Sequence, residues 1–124
     1  MARLRVVVFD DDLELALRGV EIPGVELRLE GSAEDAERVV EEFRPDLVFM
    51  DHNFGRFVRL GDAAIRELRA RWKAEQLMII GISSSEVGNR ALLEAGANTC
   101  MPKREVVGYL QAMAAATPGE GQNR

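Results

Sequence analysis

Apolar runs of strand length alternate along this chain with longer segments whose apolar residues recur at helical spacing, the arrangement of a parallel sheet covered by helices. Leu4–Phe9 reads as a buried first strand that stops against Asp10, Asp11 and Asp12. A short helix over 13–18 follows, cut off by Gly19 and then by Pro23-Gly24. Residues 25–29, Val-Glu-Leu-Arg-Leu, alternate as a half-exposed edge strand does. Gly31-Ser32 opens the next helix, with Ser32 and Asp35 spaced like a capping box. Ala33, Ala36, Val39, Val40 and Phe43 give that helix one apolar face, and Pro45 closes it. Residues 46–50 form a third strand ending at Asp51. A loop runs over 52–60, and a helix over 61–72 carries Ile65, Leu68 and Trp72. Residues 77–82 are apolar throughout, as in a central strand. Ser83-Ser84-Ser85 leads into a short helix ending at Gly96, then a fifth strand over 97–101 and a last amphipathic helix, Val106–Ala116. Strict alternation of this kind predicts one (βα)5 domain over residues 1–116, with the Gly-rich, polar 117–124 as a flexible tail or the start of a linker.

Composition narrows the class. At 124 residues, 47% hydrophobic and 30% charged, the chain has the make-up of one soluble globular domain able to bury a core unaided. No apolar run approaches the roughly 18 residues of a membrane span, and the run after the basic N-terminus is too short for a signal peptide. A single cysteine, Cys100, leaves no internal disulfide to form and fits a reducing compartment, so the cytoplasm is expected. The net charge of -5, with arginines scattered, argues against attraction to nucleic acid or to an anionic membrane. Lysine is scarce: only Lys73 and Lys103 occur.

The polar residues that follow the apolar strands carry the chemistry. Asp10, Asp11 and Asp12 end the first strand, Asp51 the third, Ser83 the fourth, and Lys103 follows the fifth. In an open parallel α/β sheet, ligands bind outside the carboxyl ends of the strands. These residues therefore converge on one rim. Grouped carboxylates repel, and a hard divalent cation with oxygen ligands, Mg2+ above all, relieves that repulsion. Such a site with a lysine and a hydroxyl beside it neutralises and orients phosphate oxygens, and one carboxylate can serve as nucleophile and carry an aspartyl phosphate.

Four segments make the pattern specific: Val-Val-Val-Phe-Asp10-Asp11-Asp12, Pro45-Asp-Leu-Val-Phe-Met-Asp51, Ile-Ile-Gly-Ile-Ser83-Ser84, and Glu94-Ala-Gly-Ala97 through Met101-Pro-Lys103. In this order they resemble the motif regions of response-regulator receiver domains, over essentially the whole chain to about Ala116. The resemblance implies a flavodoxin-like, doubly wound sheet of strand order 2-1-3-4-5 and a signalling role, not that of an enzyme acting on other substrates. It implies that Asp51 accepts a phosphoryl group from a histidine kinase or histidine phosphotransfer protein. Mg2+ would be held by Asp11, Asp51 and the backbone carbonyl of Asn53, with Asp10 acting through water. Ser83 would meet the phosphoryl group and Lys103 would pair with its oxygens. An output partner and a phosphorylation-linked homodimer belong to the same expectation, on a chain that is stand-alone or the N-terminal piece of a longer protein.

The departures from the family are visible too. The first helix is short, and the stretch from Asp51 to Gly61 is about two residues longer than usual and lacks the common proline, while about two are missing between Ser83 and Lys103. Cys100 stands at the position of the aromatic switch, and Arg104 replaces the proline after the lysine, which removes the reason for a cis peptide there. These changes motivate an alternative, a receiver fold acting as an interaction module without productive phosphorylation. Phe9-Asp10-Asp11-Asp12-Leu13 also resembles the Asp-x-Asp opening of haloacid-dehalogenase-like phosphatases, but no acidic pair follows the fourth strand as that family requires.

Plainer readings stand beside these. Asp10 to Asp12 are favoured helix caps in any protein, and Ser84 or Ser85 suits the cap of the following helix. His52, Arg56 and Arg59 read as solvated loop residues. Phe54 and Phe57 suit either partner contact or folding back on the core, and Cys100 reads as a small buried apolar residue, not a redox sensor.

Overall fold

The computed structural model describes residues 3–54 and 59–116. Five parallel strands form one sheet in the order β2-β1-β3-β4-β5. They are β1 (Leu4–Phe9), β2 (Val25–Glu30), β3 (Leu47–Met50), β4 (Met78–Gly81) and β5 (Thr99–Cys100), separated by α1 (Asp11–Ala16), α2 (Ala36–Phe43), α3 (Gly61–Arg71) and α4 (Glu86–Ala95). A turn of 3-10 helix, Lys103–Glu105, leads into α5 (Val106–Ala116). The expected fold class and strand order are both present. No helix among the described residues is long and apolar enough to cross a membrane. The tail expected over 117–124 lies outside the described residues.

Successive strand residues point to opposite faces, which splits the core in two. Val7, Phe9, Val48, Met50 and Ile79 pack with Val39, Val40, Ile65, Leu68 and Leu92 from α2, α3 and α4. Val6, Val8, Leu47, Phe49 and Ile80 face the other way, onto Leu13 of α1 and Val106 and Leu110 of α5. Because β1, β3 and β4 are covered on both faces, their sequences are apolar without alternation. β2 lies at the edge and keeps polar positions, with Glu26 paired to Arg5 at 2.6 Å and Glu30 to Arg28 at 2.9 Å.

Several boundaries differ from the sequence reading. The first helix runs two residues earlier, because Asp10 caps it: its Oδ1 accepts from Asp12 N at 2.8 Å and Leu13 N at 3.0 Å. The second helix starts at Ala36, and neither Ser32 nor Asp35 forms the expected capping box; Asp35 makes no side-chain cap bond and pairs with Arg38 at 3.2 Å. Ala33 is fully buried, so the chain drops it into the core and turns before the helix begins. The fifth strand shrinks to Thr99–Cys100, since the Asn98 side chain instead accepts from Ile79 N at 2.8 Å. Trp72 caps α3 from outside, under the Arg71 guanidinium.

Candidate functional site

The carboxyl ends of β1 and β3 lie side by side, in register from Phe9 to Met50, so Asp10 and Asp51 follow on adjacent strands. Asp51 is buried and its N–H donates to Phe9 O at 2.9 Å. Its Oδ1 accepts from His52 N at 2.8 Å, and its Oδ2 from Lys103 Nζ at 3.0 Å. Lys103 reaches the cluster from the turn after β5, where Pro102 holds the chain extended at its start. The same Nζ stands 3.0 Å from Asp10 Oδ2 and 3.3 Å from Asp12 Oδ2.

Asp10 divides its work. One oxygen caps α1, and the other is fully enclosed, pairs with Lys103 by charge, and takes no well-aligned hydrogen bond. Burial, the largest influence, pushes its carboxyl above the ordinary 3.8, against the Leu13 N–H and Lys103, which lower it. Burial opposes the charge on Lys103, yet the neighbouring carboxylates of Asp10 and Asp51 hold the ammonium well above the usual lysine value. Lys103 is therefore a fixed cation.

Asp10, Asp11 and Asp51 each offer a carboxylate oxygen within 4.8 Å of the others. These carboxylates, with Asp12 beside them, outnumber the one ammonium there, an excess of negative charge that a divalent ion would relieve. The donor set is all hard oxygen, and one of its buried oxygens lacks a hydrogen bond. Both observations fit a cation such as Mg2+. Asn53 lines the same cleft of about 450 Å3, together with Asp11, Asp12, Asp51, His52, Ser83 to Ser85 and Lys103.

Ser83 is buried at the end of β4 and lines this cleft as well as a second one, which runs under Asn89, Cys100, Met101 and Arg104. Its hydroxyl accepts from Ser85 N at 3.1 Å, while Ser85 caps α4 by accepting from Gly88 N at 2.9 Å. Thus Asp10, Asp11, Asp51, Asn53, Ser83 and Lys103 lie together at one rim.

The remaining candidates sort differently. His52 is half-buried, with its Nε2 3.5 Å from Asp62 Oδ1. Phe54 folds back and is fully buried among the residues of the α2 and α3 face. Arg59 is no free loop arginine: it pairs with Glu67 at 2.9 Å, and its N–H donates to Glu34 at 3.2 Å. Arg56 and Phe57 lie outside the described residues. Cys100, expected to be buried, is only half-buried, and burial pushes its thiol up.

Sequence reasoning missed two glycines and an asparagine. A side chain on Gly61 would overlap the Asp51 carbonyl, and one on Gly88 would overlap the Ser83 hydroxyl. Asn89 binds the Ser83 backbone from α4. A glycine opening a helix is a readable signal of close approach; nothing local marks Asn89.

No family model matches the sequence, and no curated protein matches it. Solved structures do. A protein assigned as a response regulator from Chloroflexus aurantiacus J-10-fl is 26% identical, at a TM-score of 0.66 over 91% of this chain and 98% of that one. The BeF3-activated N-terminal receiver domain of RstA from Klebsiella pneumoniae is 22% identical, with a TM-score of 0.67 over 89% and 97%. A protein assigned as a two-component response regulator with a GGDEF domain is 24% identical at 0.67, over 92% of this chain but only 48% of its own length. The chain is thus similar, over some nine-tenths of its length, to response-regulator receiver domains, and it shares their fold.

Proposed function

We propose that this chain is a phosphoaccepting receiver, with Asp51 as the acceptor. The observation that carries the reading is the position of Lys103 Nζ, 3.0 Å from a carboxylate oxygen of Asp51 and of Asp10 alike. A lone surface lysine has no reason to enter a group of buried acids, whereas a phosphoryl group on Asp51 needs a cation at that point. An Asp51 oxygen attacks the phosphorus of a phosphohistidine on a histidine kinase or phosphotransfer protein. The phosphorus–nitrogen bond breaks, the imidazole leaves and takes up a proton, and an acyl phosphate remains.

Asp11, Asp51 and the Asn53 carbonyl would hold Mg2+, with Asp10 acting through a coordinated water. Bound there, the ion would neutralise phosphate oxygens as charge moves onto them. Lys103 fixes the oxygen nearest it, and the Ser83 hydroxyl, once it leaves Ser85 N, takes another. The His52 N–H and Lys103 orient the Asp51 carboxylate, and Gly61 leaves room for the Asp51 carbonyl. The modified site would bias a surface around α4, β5 and α5 toward an output partner or a second copy of the chain.

The test is the mass after incubation with acetyl phosphate and Mg2+. Wild type gains roughly 80 Da, one phosphoryl group, and Asp51→Asn gains nothing. Equal labelling of both removes Asp51 from the role, and no labelling of either leaves the interaction-module alternative.

A further inference from the structure

The residue that would sense a phosphoryl group is fastened to α4 by α4 itself. Ser83 N donates to Asn89 Oδ1 at 2.9 Å, and Asn89 Nδ2 donates back to Ser83 O at 3.0 Å. One side-chain amide therefore satisfies both backbone groups of Ser83, much as a neighbouring strand would. Asn89 is part of α4, held there by the bond from its own N–H to Ser85 O at 3.0 Å. The Ser83 hydroxyl is bound to the same turn through Ser85 N, and Gly88 leaves it the room. Position 100 has a thinner connection: Cys100 Sγ donates weakly to the Asn89 carbonyl at 3.6 Å. Asn89 and Cys100 line only the second cleft and do not touch the acids.

These bonds decide which way a movement travels. A shift of Ser83 toward Asp51 would strain the bond from Ser85 N to its hydroxyl, and with it the serine that caps α4. The Ser83 backbone can then either drag Asn89 along or break two partly buried hydrogen bonds. Leaving both partners unsatisfied costs more than moving a short helix as a rigid body.

We propose that Asn89 is the coupling residue of this chain: it carries a displacement of Ser83 straight into α4, without a ring at position 100. The proposal rests on the phosphoacceptor reading and deepens it. Asn89 is a positioning residue, apart from the groups that would touch the phosphoryl.

The experiment adds Mg2+ and beryllium fluoride, which mimics an acyl phosphate, to wild type and to Asn89→Ala. It reads binding by fluorine resonance and backbone-amide hydrogen exchange over Glu86–Ala95. Wild type binds, and exchange in α4 changes. Asn89→Ala still binds, but the α4 response is lost. If Asn89→Ala does not fold, Asn89→Asp gives the same reading, since it keeps an acceptor for Ser83 N–H and loses the donor to Ser83 O. An α4 response equal to that of wild type overturns the coupling. So does loss of binding in the variant, which would place Asn89 in the chemistry. Failure of wild type to bind overturns the phosphoacceptor reading as well, a separate outcome.

Discussion

Lys103 Nζ donates to Asp51 Oδ2 at 3.0 Å across 52 positions of sequence, and the same nitrogen lies 3.0 Å from Asp10 Oδ2. One ammonium thus ties the turn after β5 to the ends of β1 and β3. It stands where grouped acids would otherwise repel without relief.

Removing that ammonium tests its weight. Lys103→Met leaves buried carboxylates without their partner, and stability measured by urea unfolding at pH 7 without Mg2+ falls by roughly 3 kcal/mol. The sign with pH follows from the shifts. The Lys103 pKa is raised above its unfolded value of 10.5, so its contribution is fully present below pH 10.5 and fades only at higher pH, through the folded value. On the acid side, burial raises Asp10 above 3.8, so that carboxylate begins to take up protons before an ordinary aspartate, and the gap between wild type and variant closes. A gap that narrows between pH 7 and 9 would contradict this account.

Mg2+ should stabilise the fold. A ligand binding only the native state at ten times its Kd adds about 1.4 kcal/mol, which for a domain of this size raises Tm by a few degrees. Asp11→Ala removes that rise, and the metal-free variant melts no lower than wild type because a repelling charge has gone. Differential scanning calorimetry with and without millimolar Mg2+ checks both points; an unmoved wild-type curve would mean the cluster holds no metal.

Gly61→Ala should be costly although the change is one methyl group. The added carbon meets the Asp51 backbone carbonyl, which cannot give way without moving the end of β3. The expected loss is about 2–3 kcal/mol, and Tm falls on the order of 10 °C. Thermal unfolding by circular dichroism decides it. A shift within experimental error would show that the β3–α3 loop yields freely.

Ser83 and Cys100 separate two routes for the signal. Ser83→Ala should weaken phosphorylation-dependent dimerisation or partner binding, because the hydroxyl that turns to the phosphoryl group is gone. Cys100→Ala should change it little, since the thiol's contact to the Asn89 carbonyl is long and weak. Sedimentation of phosphorylated and unphosphorylated forms of each variant compares them. The reverse order of effects would put the switch at position 100.

The local pattern of residues was enough to set the architecture. Apolar runs such as Val6-Val7-Val8-Phe9 and Leu47-Val48-Phe49-Met50 have no polar face, so they had to lie between two layers of helices, and the acids that end them had to meet at one rim. Hydrophobic periodicity records which way each residue faces, and that is a local property. What each polar atom does at the rim is not local. Three consecutive aspartates look alike in sequence, yet only Asp10 is enclosed and caps α1, while Asp12 remains exposed. Phe54 lies in the loop between β3 and α3 and is buried all the same, because the core between α2 and α3 leaves a place for its ring. The bond between Asn89 and Ser83 depends on where α4 settles against β4, and β5 is short because Asn98 takes over one of its pairings. Such choices belong to the tertiary structure, since the energy of a buried hydrogen bond or charge depends on partners that packing delivers from elsewhere in the chain.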